Sequence, residues 1–189
     1  MKKRKKLYII SGPSGVGKGV VIAHFLQRTK NIAIAISATT RPPRKGERNN
    51  IHYYFLTKED FKEKISQNAF LEWCLVHENY YGTLKSEVDR ISSLGKDAIL
   101  EIDVQGAMKI KEKHPDATLI FIAPPDYAAL ESRLRSRRTD SEENVNKRLS
   151  AARVEMASKS NYDYVIVNNE IDTTTQQLET IILGGQSIA

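Results

Sequence analysis

The sequence predicts an α/β fold in which helices flank a parallel core sheet and a small mixed α/β subdomain is inserted, together with a lid. Three observations carry this. Short continuous apolar runs recur near residues 7, 33, 98, 119 and 164, as in strands covered on both faces. Helical segments alternate with them, as crossovers between parallel strands require. The stretch 37–92 breaks that rhythm with strand-like pieces and a helix, as an insertion would.

Taken in order, 7–10 is rich in strand formers, a glycine loop follows at 12–17, and 18–27 reads as a helix. Residues 32–36 form the next apolar run. Residues 39–50 hold two prolines and five charges and read as a loop. A strand-like piece at 53–56 precedes Thr57-Lys58-Glu59-Asp60, which resembles a capping box ahead of a helix at 61–65. Residues 70–76 read as a strand, with Tyr80-Tyr81-Gly82 turning after it. A helix at 84–94 is stopped by Gly95 at C′. Residues 97–103 contain a buried-type strand ending in acids, followed by a helix at 104–113 and a strand at 118–123. Pro124-Pro125 breaks the chain before a helix at 127–135. Asp140 or Ser141 is placed to cap a long helix reaching about 159, and a strand at 164–167 and a helix at 173–183 complete the chain.

Composition narrows the function classes. Of 189 residues, 40% are hydrophobic and 28% charged, the balance of a folded domain with a core. No apolar run approaches the roughly 20 residues of a membrane helix. The net charge is +6, but five positive charges lie in the N-terminal run Lys2-Lys3-Arg4-Lys5-Lys6, which reads as a solvated tail. The remaining body is nearly neutral, so neither nucleic acid nor membrane is expected as a partner. The single cysteine, Cys74, precludes an internal disulfide, no Cys/His spacing suggests zinc, and a cytoplasmic setting is expected.

Gly12-Pro13-Ser14-Gly15-Val16-Gly17-Lys18 fits G-x-x-x-x-G-K, after a strand and before a helix. Backbone N–H groups of such a loop curl around phosphate, the helix N-terminus adds partial positive charge, and the lysine reaches the β- and γ-phosphates. This makes the core sheet one of the P-loop nucleotide-hydrolase type. The next residue is Gly19, not the Ser or Thr whose hydroxyl would hold Mg²⁺. The metal is therefore expected with ATP and without a clear protein ligand.

Several further motifs follow in order. They are Ser37-x-Thr39-Thr40-Arg41-x-Pro43-Arg44-x-Gly46-Glu47, Tyr53-x-Phe55, Phe70-Leu71-Glu72, Asn79-Tyr80-Tyr81-Gly82-Thr83 and Glu101-Ile102-Asp103-x-Gln105-Gly106. Arg133-Leu134-x-x-Arg137, Arg148 and Tyr162-Asp163-Tyr164-x-Ile166-Val167-Asn168 complete the set. With the glycine loop, these resemble the guanylate kinase family over nearly the whole chain. The resemblance implies an ATP:GMP phosphotransferase that forms ADP and GDP, acts also on dGMP, and serves guanine nucleotide synthesis and recycling. It implies a core of residues 1–36 and 93–189, with a lid at about 134–147, and an inserted GMP-binding subdomain at 37–92.

By the same resemblance, ATP is bound by Gly12, Pro13, Ser14, Gly15, Val16, Gly17, Lys18, Gly19 and Asn168. GMP is bound by Ser37, Arg41, Arg44, Tyr53, Glu72, Tyr81, Thr83 and Asp103. Lys18, Arg133, Arg137 and Arg148 assist the transfer. The chemistry agrees: a carboxylate such as Glu72 accepts guanine N1–H and N2–H together, whereas adenine presents an acceptor at N1. Two other readings are a non-catalytic guanylate-kinase-like binding module, and a P-loop enzyme with a different acceptor. The intact loop with its arginines disfavours the first; Glu72, Ser37 and Thr83 disfavour the second. The chain departs from the family pattern at Ser136 and Arg138, where glycines usually flank Arg137, at Glu78, where glycine usually precedes Asn79, and at Asn169, where aspartate usually follows Asn168.

Overall fold

The computed structural model describes residues 5–76, 78–136 and 142–184. Nine strands and seven α-helices form in the described residues. The strands are β1 (Leu7–Ser11), β2 (Ile32–Ile34), β3 (Ala38–Thr39), β4 (Tyr54–Phe55), β5 (Phe70–Val76), β6 (Asn79–Leu84), β7 (Asp97–Glu101), β8 (Thr118–Ala123) and β9 (Tyr164–Val167). The helices are α1 (Lys18–Gln27), α2 (Lys58–Ser66), α3 (Lys85–Ser93), α4 (Val104–Lys113), α5 (Tyr127–Arg135), α6 (Glu142–Ala157) and α7 (Ile171–Leu183). None of the described helices is long and apolar enough to cross a membrane.

The five apolar runs become one parallel sheet of order β2-β7-β1-β8-β9. Its strands read as unbroken apolar stretches because residues of both faces are covered: Ile9, Ile10, Ile99, Leu119, Ile120, Phe121 and Ile122 are all fully buried. Each such side chain contributes about 1.5–3 kcal/mol on burial. A second sheet of order β4-β3-β6-β5 combines a parallel β3–β4 pair with antiparallel β3–β6 and β5–β6 pairs. Its core is Ala38, Phe61 and Phe70, with Phe61 stacked between Phe70 at 4.3 Å and Tyr80 at 5.2 Å between ring centroids.

The chain divides into two compact units, residues 1–9 with 31–118, and residues 10–30 with 119–189. In the first, α3 packs on β7 and α4 on β5; in the second, α1 packs on α7 and α5 on α6. The helix starts are set locally. The Thr57 hydroxyl accepts from Asp60 N at 3.0 Å, Asp103 from Gly106 N at 2.7 Å, and Asp126 from Ala129 N at 2.6 Å. Each cap is worth about 1 kcal/mol. Gly95, at φ 74°, follows the end of α3 as expected. The proposed caps Asp140 and Ser141 lie outside the described residues.

One element differs from expectation. Tyr80-Tyr81-Gly82 is not a turn but the middle of β6, paired with β5 from Val76↔Asn79 to Phe70↔Leu84. The strands reverse between Val76 and Asn79, and Glu78 there adopts φ 68°. Partner strands supply the hydrogen bonds that override the local turn preference of a Tyr-Gly pair.

Candidate active site

The expected site residues fall into two groups, each inside one compact unit. The first is the glycine loop between β1 and α1. Gly17 forms the N-cap of α1 at φ 99° and ψ 19°. A Cβ there would be strained by that φ and would lie 2.8 Å from Asn168 Nδ2, so only glycine fits. Val16 N donates to Pro13 O at 3.2 Å, which tightens the curl. Lys18 folds over the loop, its ammonium donating to Gly12 O at 2.6 Å and Pro13 O at 3.3 Å.

Three side chains from later in the chain hold this loop. Asn168, only 5% exposed, donates through Nδ2 to Val16 O at 2.7 Å and accepts at Oδ1 from the Thr174 hydroxyl at 3.1 Å. Arg133 donates to the carbonyls of Val16 at 3.1 Å and Asn168 at 3.0 Å. Arg148 Nη2 donates to the Ser14 hydroxyl at 2.8 Å. Gly19 is exposed on the first turn of α1 and offers no hydroxyl. Beside the loop is a cleft of about 280 Å³ whose walls include Val16, Val20, Arg133, Asn168, Asn169 and Ile171. Arg137, expected to assist transfer, lies outside the described residues, as does Arg138.

The second group lies around β5, β6 and the start of α4. Glu72 on β5 is only 3% exposed. Its Oε1 accepts from the Thr83 hydroxyl on β6 at 3.0 Å. Space for the carboxylate is kept by Gly106, since a Cβ there would approach Oε2 to 2.7 Å. Burial pushes the Glu72 carboxyl up to about 7; the Thr83 hydrogen bond opposes this and the Asp103 charge adds to it. Asp103 caps α4 through Oδ1 and accepts from the Cys74 thiol through Oδ2 at 3.0 Å. Burial, then the neighbouring Asp103, raises the Cys74 thiol well above its ordinary range, so it stays a protonated donor.

Arg41, Tyr53 and Tyr81 form a second cluster within the same compact unit. The Arg41 guanidinium lies 5.5 Å from the Tyr53 ring centroid, and Tyr53 meets Tyr81 edge-on at 6.4 Å. Glu47 organises the loop: it pairs with Arg41 Nη2 at 2.9 Å and accepts from Arg44 N at 2.6 Å. The Arg41 hydrogen bond holds the Glu47 carboxyl below its usual range despite partial burial. Burial, with the Glu101 charge next, pushes the Tyr53 phenol up, so it too remains a donor. Ser37 is half-buried and its carbonyl accepts Tyr54 N at 2.9 Å, while Arg44 is exposed. Among the described residues no three His, Cys, Asp or Glu side chains are grouped to hold a metal ion.

Sequence reasoning passed over Cys74, Glu47 and Thr174. Cys74 stands out in the sequence only as the single cysteine, yet its alternation with Glu72 along β5 puts both on one face. Glu47 stands within the arginine motif, where an acid between closely spaced arginines signals a partner. Nothing local marks Thr174.

A family model described as guanylate kinase matches residues 4–184. The chain is 48% identical over 182 residues to a guanylate kinase of Prochlorococcus marinus (strain MIT 9312), covering 96% of this chain and 99% of that one. It is 48% identical over 179 residues to a guanylate kinase of Fusobacterium nucleatum, covering 95% and 96% of the two chains. The crystal structure of guanylate kinase from Anaplasma phagocytophilum superposes with a TM-score of 0.78 at 32% identity, covering 97% of this chain and 87% of that one.

Proposed function

The chain belongs to the guanylate kinase family, and from that premise we propose that it transfers the γ-phosphoryl group of ATP to GMP and dGMP, giving ADP and GDP. The observation that carries the choice of acceptor is the buried Glu72 carboxylate, held by Thr83 in space that Gly106 leaves open. In its ionised form it accepts guanine N1–H and N2–H together. Adenine offers an acceptor at N1 and would leave the carboxylate buried and unmatched, a loss worth roughly 10⁴-fold in discrimination. The Ser37 and Thr83 hydroxyls and the Asp103 carboxylate complete recognition of the base. Cys74 orients Asp103 by its hydrogen bond.

The acceptor phosphate is a dianion. Arg41 and Arg44 supply guanidinium donors for it, and the phenols of Tyr53 and Tyr81 add hydrogen bonds. Residues 37–92 constitute the GMP-binding subdomain, inserted in a core of residues 1–36 and 93–189.

ATP enters as its Mg²⁺ complex, with the metal as part of the substrate. Gly19 lacks the hydroxyl that would ligate it, so phosphate oxygens and water supply its ligands. The Gly12–Gly17 backbone cradles the phosphates and the Lys18 ammonium, which carries three donors, bonds their β- and γ-oxygens. The apolar cleft between Val20 and Ile171, floored by Asn168 and Arg133, takes the adenine. Arg137 of the lid at about 134–147, and Arg148 just beyond it, supply positive charge for the transferring group. Arg133 contributes its charge while bracing the loop through the carbonyls of Val16 and Asn168. Such transfer demands alignment and charge neutralisation more than covalent chemistry, and these residues supply both.

ADP release with MgATP against GMP, AMP, CMP and UMP tests the reading. ADP should appear rapidly with GMP alone; equal turnover with all four monophosphates would refute it.

A further inference from the structure

Glu87 takes no part in the site described above, yet it is a carboxylate only 2% exposed. It lies in the first turn of α3, and each of its oxygens accepts two hydrogen bonds. Oε1 accepts from Ile36 N at 3.0 Å and Arg90 Nη2 at 2.8 Å; Oε2 accepts from the Tyr54 hydroxyl at 2.9 Å and Arg90 Nε at 2.9 Å. Burial alone would raise its pKa. The bonds from Arg90, Ile36 and Tyr54 outweigh that and hold it below the ordinary value, so it is ionised at neutral pH.

The identity of these donors matters more than their number. Ile36 immediately precedes Ser37, and Tyr54 immediately follows Tyr53. The two segments are themselves joined by Tyr54 N donating to Ser37 O at 2.9 Å. One carboxylate on α3 therefore ties together the backbone entering β3 and the side chain leaving β4. Both attachment points are one residue from a proposed GMP contact. A buried carboxylate with a half-exposed arginine partner is not needed for packing, since apolar side chains of similar volume often serve stability as well. The carboxylate instead fixes a distance and an orientation between two short strands, each of only two residues.

We infer that Glu87, bonded to Ile36 N and Tyr54 and neutralised by Arg90, is a positioning residue that sets Ser37 and Tyr53 in register for GMP. The inference rests on the reading of this half-site as the GMP pocket. It predicts a loss confined to GMP affinity, with the site for ATP unaffected.

The test is calorimetric titration of GMP, and separately of ATP, into the wild type, Tyr54→Phe and Glu87→Gln, with the melting temperature of each. Tyr54→Phe removes one hydrogen bond and should weaken GMP binding about threefold; Glu87→Gln disturbs several and should weaken it about tenfold or more. ATP affinity should stay within about twofold in both. A variant that melts earlier but binds GMP like the wild type would show a structural role only and overturn the inference. Equal losses for GMP and ATP would overturn it as well. If Glu87→Gln does not fold, Tyr54→Phe decides. A wild type that binds ATP but no GMP would overturn the reading of the half-site itself, and the inference with it.

Discussion

Among single residues, Glu72 carries the most information, because in the proposed pocket its environment would make base recognition depend on pH. Its carboxyl is raised to about 7, chiefly by burial. Only the ionised form accepts two guanine donors, so GMP binding must drive off the proton that the free protein holds below pH 7. GMP affinity should therefore fall about tenfold per unit as pH drops below that value. The GMP phosphate titrates near 6 by itself, so Glu72→Gln is the baseline. The wild type should lose affinity more steeply than this variant between pH 7.5 and 6, and parallel curves would refute the assignment. Glu72→Gln should also lose most of the preference for GMP over AMP while remaining folded. The same burial makes the fold less stable as pH rises from 4.5 to about 7, where the unfolded chain has released the proton and the folded chain has not. At the phosphate loop, Lys18→Ala should lower kcat by about 10²–10³-fold. GMP affinity by calorimetry should be unchanged, because every proposed GMP contact lies in the other compact unit. Glu72, Thr83, Asp103 and the arginines were legible in the sequence because each stands inside a spaced motif. Cys74, Glu47 and Glu87 were not read as site residues. Their importance lies in which partners they face, and that is decided by strand register and helix placement.

At the scale of elements, the long apolar strands were readable because burial on both faces leaves a continuous signature. β3, of two residues, leaves none, whereas β4 lies within the piece at 53–56 that reads as strand-like. The β5–β6 hairpin shows how a local signal fails. Tyr80-Tyr81-Gly82 resembles a turn, but six residues of β6 pair with β5, and the reversal comes before Asn79. The consequence is visible at Glu78, which holds φ 68° where the family pattern has glycine. A side chain in the left-handed region costs roughly 1–2 kcal/mol, and glycine returns roughly 0.5–1 kcal/mol of that as greater chain entropy in the unfolded state. Glu78→Gly should then stabilise the protein by about 0.5–1 kcal/mol and raise the melting temperature by about 1–4 °C. The mutation lies in the hairpin connection and at no proposed substrate contact, so GMP turnover should not change. A lower melting temperature would show that the Glu78 side chain stabilises the hairpin by more than its backbone costs.

On the scale of the whole molecule, the fold class was legible from the alternation of strands and helices, and the family from motifs spread along nearly the entire chain. How those motifs divide between two units was not legible, since β1 itself contributes Leu7–Ile9 to one unit and Ile10–Ser11 to the other. Binding should be visible in global stability. A ligand that binds only the folded state stabilises it by about 2.7 kcal/mol at 100 times its Kd. In a chain of this size each kcal/mol moves the melting temperature by about 2–4 °C, so saturating GMP should raise it by about 5–10 °C. AMP at the same concentration should produce almost no shift through this half-site, because adenine cannot satisfy Glu72. The contrast is cleanest without ATP, above pH 7.5, where Glu72 is ionised before the base arrives. Repeating the melt with Glu72→Gln isolates the cause: the GMP shift should shrink towards that of AMP, while the ATP shift stays at its wild-type value. If GMP and AMP stabilised the wild type equally, the carboxylate would not be selecting the base, and the acceptor would have to be sought through other residues of the pocket.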